Sequence, residues 1–436
     1  MPMSLPEHST AAILARLAAA NRTHDLRYPG QTLRRQPVHT VYGGAHLFRA
    51  ETPRRLGEVA LQAMAQHAPD SRAFARALDL PDVFHDILYE RVLRKLRSEP
   101  VEDYRIDFED GFGQHSDAEE DTQAVRTARE VVRAQRDGLL PSTIGIRIKP
   151  LSESGKVRAT RTLDLFISTI LTEGGSLPAE LTITLPKVMH AEQVQALVAL
   201  LELMQRIHGL PPGWVAIELM IESPQAILDF EGRLPLPGLL SAAAGLCRGI
   251  HFGAYDYSAA ADIAGPHQAA DHPACEFAKH LIQAAVAGTG ACCVDGPTTV
   301  LPIGSQQQVH DAWKLSYDRI QQSMRNGFYQ GWDLHPAQLP ARFAACHAFF
   351  LHGFASAAER MARLFPAGKA VPVAVSGNVF DDAATLRGLL NFFLRALNCG
   401  AILEHDLFLA TGRTAAEIRD SYSLHLGVRQ RIPEGP

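Results

Sequence analysis

Eight short runs of apolar and β-branched residues, each followed by a stretch with helical spacing, constrain this chain more than any other feature. The runs are Val38–Tyr42, Tyr104–Phe108, Thr143–Lys149, Leu181–Pro186, Val215–Ile221, Gly249–Gly253, Ala291–Val294 and Phe328–Leu334. Most are continuously apolar or β-branched rather than alternating, the pattern of parallel strands covered on both faces. Between them, Ala191–His208 places Val194, Leu197, Leu201 and Met204 on one helical face, and Ala118–Gln135 and Gln306–Met324 repeat that spacing. Eight strand–helix units predict an α/β fold, a (β/α)8 TIM barrel, rather than an open doubly wound sheet.

The chain is longer than a minimal barrel, and the surplus falls in three places. Residues 1–35 read as an N-terminal amphipathic helical segment starting near Ser4 or Pro6. Residues 50–103 follow the first strand and contain helical stretches at Pro53–Gln66 and Asp82–Leu96, which predicts a helical insertion. Residues 351–436 follow the last strand and carry helical spacing at Glu359–Leu364 and Ala383–Ala396, which predicts a mostly helical C-terminal extension fraying at Arg429–Pro436. The barrel itself is expected over 36–350.

Composition excludes several classes. With 46% hydrophobic and 20% charged residues, global disorder is excluded. A net charge of −5 gives no general attraction to nucleic acid or anionic membrane, although a local basic patch can still hold a phosphate-bearing ligand. No run reaches the roughly 18 apolar residues of a membrane span, and the N-terminal residues lack a signal pattern, so a cytoplasmic protein is expected. Six scattered cysteines without a C-x-x-C signal neither a disulfide scaffold nor a zinc ribbon.

The active site of such a barrel lies at the C-terminal ends of its strands. There the sequence places Asp107, Glu109, Asp110 and Gly111 after the second strand, and Arg147 and Lys149 on the third. Lys187 ends the fourth, Glu222 the fifth and Asp256 the sixth; Asp295 and Gly296 end the seventh, and Asp333 and His335 the eighth. Carboxylates converging on one mouth repel each other unless a cation offsets them. Hard oxygen donors without a histidine or cysteine cluster favour Mg²⁺ or Mn²⁺ over Zn²⁺. Glu222 and Asp256, at the ends of successive strands, suit that role; the alternative is that each pairs with a neighbouring Arg or Lys.

These segments, in this order, resemble the citrate lyase β-subunit-like branch of the HpcH/HpaI aldolase family, TIM barrels of the phosphoenolpyruvate/pyruvate-binding kind. "YRIDFEDGF" (104–112) looks like that family's acidic second-strand segment, with Ala128 and Arg129 on the helix that follows. "IGIRIKP" (144–150) is similar to its R-x-N strand and "LPKVMHAEQVQAL" (185–197) to its L-P-K-V segment. "LMIESPQAILD" (219–229) looks like its metal-ligand strand and "IHFGAYDYSAAADI" (250–263) like its F-G-x-x-D segment. "YQGWDLHPAQL" (329–339) resembles its H-P-x-Q segment, and "SGNVFDDAATLRGL" (376–389) resembles the C-terminal G-x-x-[IV]-D of citramalyl-CoA lyase-like members.

The resemblance implies a Mg²⁺-dependent carbon–carbon lyase or aldolase acting next to a small 2-oxo acid such as pyruvate, glyoxylate or oxaloacetate. It implies Glu222 and Asp256 as metal ligands, Arg147 as the group that stabilises developing negative charge, and Asp381, with Asp382 an equal competitor, as a general acid/base. Glu109, Asp110, Lys187, Gly253 and Asp295 are implied around substrate or behind the ligands. His39, His251 and His335 read as structural, and Cys292 and Cys293 as inert thiols within a strand. The family's opening R-S-x-L-F-V-P-G is replaced by "QPVHTVYGGAH" (36–46), its R-x-N asparagine by Lys149, and residues 50–103 are inserted. These departures touch the half of the site that takes a CoA thioester. Acyl-CoA cleavage or a malate-synthase-like condensation is therefore the alternative within enzymes, and a catalytically silent binding barrel the alternative outside them. A homo-oligomer, trimeric or hexameric, is expected with either enzyme.

Overall fold

A computed structural model describes residues 5–30, 32–81, 85–364, 374–376, 379–381 and 383–425. Helix α1 (Glu7–Arg27) precedes strand β1 (His39–Gly44), and α2 (Thr52–His67), α3 (Ser71–Leu78) and α4 (His85–Ser98) lie between β1 and β2 (Asp103–Asp107). Strand and helix then alternate: α5 (Asp117–Arg136), β3 (Thr143–Arg147), α6 (Lys156–Gly174), β4 (Leu181–Leu185), α7 (Ala191–His208) and β5 (Ala216–Ile221). Short α8 (Pro224–Ile227) and α9 (Leu236–Ala242) lead to β6 (Cys247–Phe252), and α10 (Ala254–Ala260) and α11 (Pro273–Val286) to β7 (Cys292–Asp295). After α12 (Gln306–Arg325), β8 (Gln330–Asp333) and α13 (Leu339–Leu364), a strand pair, β9 (Ala374–Ser376) and β10 (Val379–Asp381), precedes α14 (Ala383–Asn398), α15 (Glu404–Thr411) and α16 (Ala415–His425).

The strands β1 to β8 close into one parallel barrel in chain order. Strand β1 closes it by pairing with β2 (Gly44 beside Asp107) and β8 (His39 beside Gly331), so no barrel edge is left exposed. The predicted (β/α)8 barrel, its helical insertion after the first strand and its helical C-terminal extension are all present.

Local signals set the helix ends. Ser116 with Glu119 forms a capping box for α5, and Ser305 with Gln308 does the same for α12. Gly175 and Gly209 stop α6 and α7 in the left-handed conformation. The insertion packs against the barrel's outer helices: α3 lies on α12, where Phe74 meets Trp313 edge-on, and α4 lies on α13. Helix α1 does not form the expected amphipathic element. Its apolar residues are spread around the helix, and Ile13, Leu14 and Leu17 are all exposed. No helix among the described residues is long and apolar enough to cross a membrane.

Apolar side chains lie mainly between strands and helices, while the barrel interior is polar. Arg105 is fully buried and bonds Asp103 (2.5 Å), Glu218 (2.7 Å) and Thr184 (3.0 Å). His39 bonds Asp333 (2.8 Å), which also holds Arg342 (3.0 Å). Above Arg105, Tyr42, Met220, Val294 and Trp332 form a separate apolar layer under the mouth. Removing one partner from a buried pair of this kind leaves an uncompensated charge, at a cost of roughly 3–5 kcal/mol.

Candidate active site

A cavity of about 620 Å³ opens at the C-terminal ends of the strands. Gly43 and Gly44 of β1, Asp107 at the end of β2 with Asp110 and Gly111 after it, Arg147 of β3, Glu222 after β5, and Gly253 and Asp256 beyond β6 line it. Helix α2 contributes Thr52 and Leu56, so the insertion forms part of its wall.

The strand register sets Arg147 beside Asp107. Its Nε donates to Asp107 (2.6 Å), an Nη donates to the other oxygen of the same carboxylate, and its second Nη lies 3.3 Å from Glu109. The guanidinium sits over the Tyr42 ring, 5.0 Å from its centroid. Burial opposes the charge, but Asp107 and Glu109 outweigh it and hold Arg147 more firmly protonated than an ordinary arginine. Asp107 in turn accepts the backbone N–H groups of Glu109 (2.9 Å) and Gly111 (2.7 Å), which fixes the fork in place.

Lys187 has a φ of 50°, a left-handed conformation that a lysine adopts only under local constraint. This turn aims its backbone N–H at Glu222 (2.6 Å). Its ammonium reaches Glu109 (2.5 Å) and Asp110 (3.2 Å) and stands 4.0 Å from Asp256. Gly253 supplies the space: a Cβ there would meet the Glu222 Cβ at 2.5 Å and its carboxylate oxygen at 2.8 Å.

Glu222 is singular. The other buried acids each have a cationic side chain within 4.0 Å: Glu102 has Lys95, Asp103 and Glu218 have Arg105, Asp107 has Arg147, Glu120 has Lys149, Asp295 has Lys279 and Asp333 has Arg342. Glu222, only 4% exposed, has none among the described residues. Burial pushes its carboxyl up to about 8, with Asp256 adding to the effect and Lys187 opposing it. Asp256, in the first turn of α10, is half-exposed at the same mouth.

This donor set fits a hard divalent cation. Among the described residues no group of three or more His, Cys, Asp and Glu is placed to hold a metal. A Mg²⁺ here would therefore rest on Glu222 and Asp256 and take its remaining oxygens from water and substrate, which is usual for that ion.

The structure thus gathers Arg147, Lys187, Glu109, Asp110, Gly253, Glu222 and Asp256 around one mouth. Asp295 does not join them. It points outward, where Lys279 of α11 (3.1 Å) and Ser323 of α12 hold it, because the inward position on β7 belongs to Val294. The Asp381 backbone pairs with Ala374 in β10, but its side chain and Asp382 lie outside the described residues. Lys149 pairs with Glu120 (3.2 Å), and the His335 ring caps the turn after β8 by accepting from Ala337 (3.2 Å). Tyr42 beneath Arg147 is a site residue that sequence reasoning missed, since nothing in "VHTVY" separates it from ordinary strand residues.

The chain belongs to the family described as a domain of unknown function (DUF6986), whose model matches residues 17–426. No curated protein matches it. Among solved structures it is similar to a citrate lyase from Burkholderia xenovorans LB400, at 20% identity over 90% of this chain and 97% of that one, with a TM-score of 0.50. Weaker likenesses include a malate synthase from Haloferax volcanii in a magnesium/glyoxylate complex, at 14% identity over 90% of this chain and 99% of that one, TM-score 0.48. Another is a citrate lyase β subunit from M. tuberculosis complexed with oxaloacetate and magnesium, at 16% identity over 74% of this chain and 99% of that one, TM-score 0.39. The first of these shows the shared barrel, the fold implied by the sequence motifs.

Proposed function

We propose that this protein is a Mg²⁺-dependent enzyme that makes or breaks a carbon–carbon bond next to a small 2-oxo acid, a lyase or aldolase of the citrate lyase β-subunit-like kind. The observation that carries the reading is Glu222: a buried carboxylate without a cationic partner, beside Asp256, in a barrel that pairs its other buried acids. A silent binding barrel has no physical need for that arrangement, and its cost in stability argues for a function.

In this reading Glu222 and Asp256 would hold the ion, which when bound would polarise the keto group of the substrate. Arg147, fixed by Asp107 and by the Tyr42 face, stabilises the negative charge that develops on the substrate oxygen. Lys187 orients Glu222 through its backbone N–H and restrains Glu109 and Asp110 through its ammonium. Gly253 keeps the approach to Glu222 open. The shared barrel with a citrate lyase supports the reaction class by analogy of fold only. We also propose that the protein is a homo-oligomer and cytoplasmic, the latter in keeping with six cysteines that are all free.

A calorimetric Mg²⁺ titration, with and without pyruvate, glyoxylate or oxaloacetate, tests it. Wild type should bind the ion and Glu222→Ala should lose most of that affinity. Equal affinity in the two proteins would remove Glu222 from the ligand set, and no binding by wild type would overturn the metal-dependent reading.

A further inference from the structure

We propose that the opposite, N-terminal end of the barrel carries a second site, which binds the phosphoryl groups of a small organic phosphate. This site does not depend on the reading of the mouth. A cavity of about 500 Å³ opens there, where β7 and β8 begin, bounded by the segment between α1 and β1 and by α14 and α16. That volume lies within the roughly 300–1,000 Å³ of small-molecule sites.

Its charge is one-sided. Arg34, Arg35, Arg395 and Arg419 line it and, among the described residues, no Asp or Glu does, in a chain whose net charge is −5. Arg35 is already matched by Glu99 (2.7 Å) and Glu102 (2.9 Å), and Arg34 lies 3.8 Å from Glu180. Arg395 and Arg419 differ: among the described residues neither has a carboxylate within 4.0 Å. Arg395 is oriented by neutral groups alone. It stacks on Tyr329 with its guanidinium carbon 4.2 Å from the ring centroid, and it bonds the amide oxygens of Asn391 (2.9 Å) and Gln36. A guanidinium held this way presents its planar fork, the geometry that matches a phosphoryl group.

Helices α11 and α14 both end at the cavity, and each C-terminus contributes a partial negative charge of about half a unit. Two unmatched guanidinium groups exceed what those ends offset. A phosphorylated ligand here would join the segment before β1 and the C-terminal helices to the barrel floor, away from the mouth.

The test is calorimetric titration of the full chain at low salt, without divalent cation, using inorganic pyrophosphate, ADP and adenosine as probes. Pyrophosphate and ADP should bind and adenosine should not, with affinity falling as salt rises. Arg395→Gln and Arg419→Gln should each weaken ADP binding roughly tenfold or more, as loss of a charge-assisted hydrogen bond does. Glu222→Gln should leave it unchanged. Arg419 is exposed, so Arg419→Gln decides the matter if Arg395→Gln fails to fold. The proposal is overturned if neither phosphate binds at millimolar concentration, or if Arg419→Gln binds ADP as wild type does. It is equally overturned if adenosine binds as well as ADP, or if Glu222→Gln abolishes binding, which would place the ligand at the mouth.

Discussion

Glu222→Gln should stabilise the metal-free protein at alkaline pH while abolishing its stabilisation by Mg²⁺. The carboxyl stands at about 8 in the folded chain against an ordinary 4.5. Between those values the folded state keeps a proton that the unfolded state releases, so stability falls as pH rises through the window and is unaffected by this group below it. At about 1.4 kcal/mol per pH unit, the gap amounts to on the order of 5 kcal/mol above pH 8, and hydration of the mouth reduces this to a few kcal/mol. Glutamine has the same shape, can still accept the Lys187 N–H and carries no charge to desolvate. Urea unfolding at several pH values in EDTA reads the difference directly. The two proteins should match near pH 4.5 and diverge toward pH 8.5, with the variant the more stable. Added Mg²⁺ should then raise the wild type alone. Parallel pH curves, or equal stabilisation of both by Mg²⁺, would refute the reasoning.

Arg147→Lys keeps a charge but loses the fork that Asp107 fixes, so turnover of the 2-oxo acid substrate should fall roughly 10²–10³-fold, while Mg²⁺ affinity measured by calorimetry stays within about threefold. Asp295→Asn should lower urea stability by roughly 1–3 kcal/mol, because it breaks the buried contact with Lys279, and leave turnover unchanged; a loss of turnover at full stability would return Asp295 to the site. Arg105→Met should cost roughly 3–5 kcal/mol, since it strands Asp103 and takes from Glu218 its nearest cation inside the barrel; a variant as stable as wild type in urea would show that those carboxyls become neutral at little cost.

The barrel was legible because helices cover the outer face of each strand, and that face supplies the apolar residues. In β2, Tyr104 and Ile106 join the core shared with the helices, while Asp103, Arg105 and Asp107 turn inward. The inward residues read from sequence as exceptions in an apolar run, and only closure of the sheet shows that they meet one another. The mouth was legible for a related reason: strand ends are where a barrel keeps polar residues free of packing demands. Three details were not. Arg147 meets Asp107 because register sets those two positions side by side, and register is not written in either strand alone. Asp295 turns outward because side chains alternate along a strand and Val294 takes the inward place, so a shift of one residue separates a mouth carboxylate from a buried structural one. Lys187 adopts a left-handed backbone where glycine would be the usual signal, and no local rule marks a lysine for it.

Placement of the mouth charges follows from the same economy of pairing. Asp107 and Arg147 neutralise each other, and Lys187 is shared between Glu109 and Asp110, so the cations of the mouth are spoken for before Glu222 and Asp256 are counted. Adding a third basic side chain would relieve Glu222 without any ion, as Lys279 relieves Asp295 two strands away. Instead the position facing Glu222 is Gly253, whose missing Cβ leaves room beside the carboxylate. A fold selected for stability alone would fill and neutralise that space. On the proposed reading, one that must admit a cation and a substrate oxygen has to leave it open, and the resulting instability falls at a single residue, where the pH dependence of Glu222→Gln can measure it.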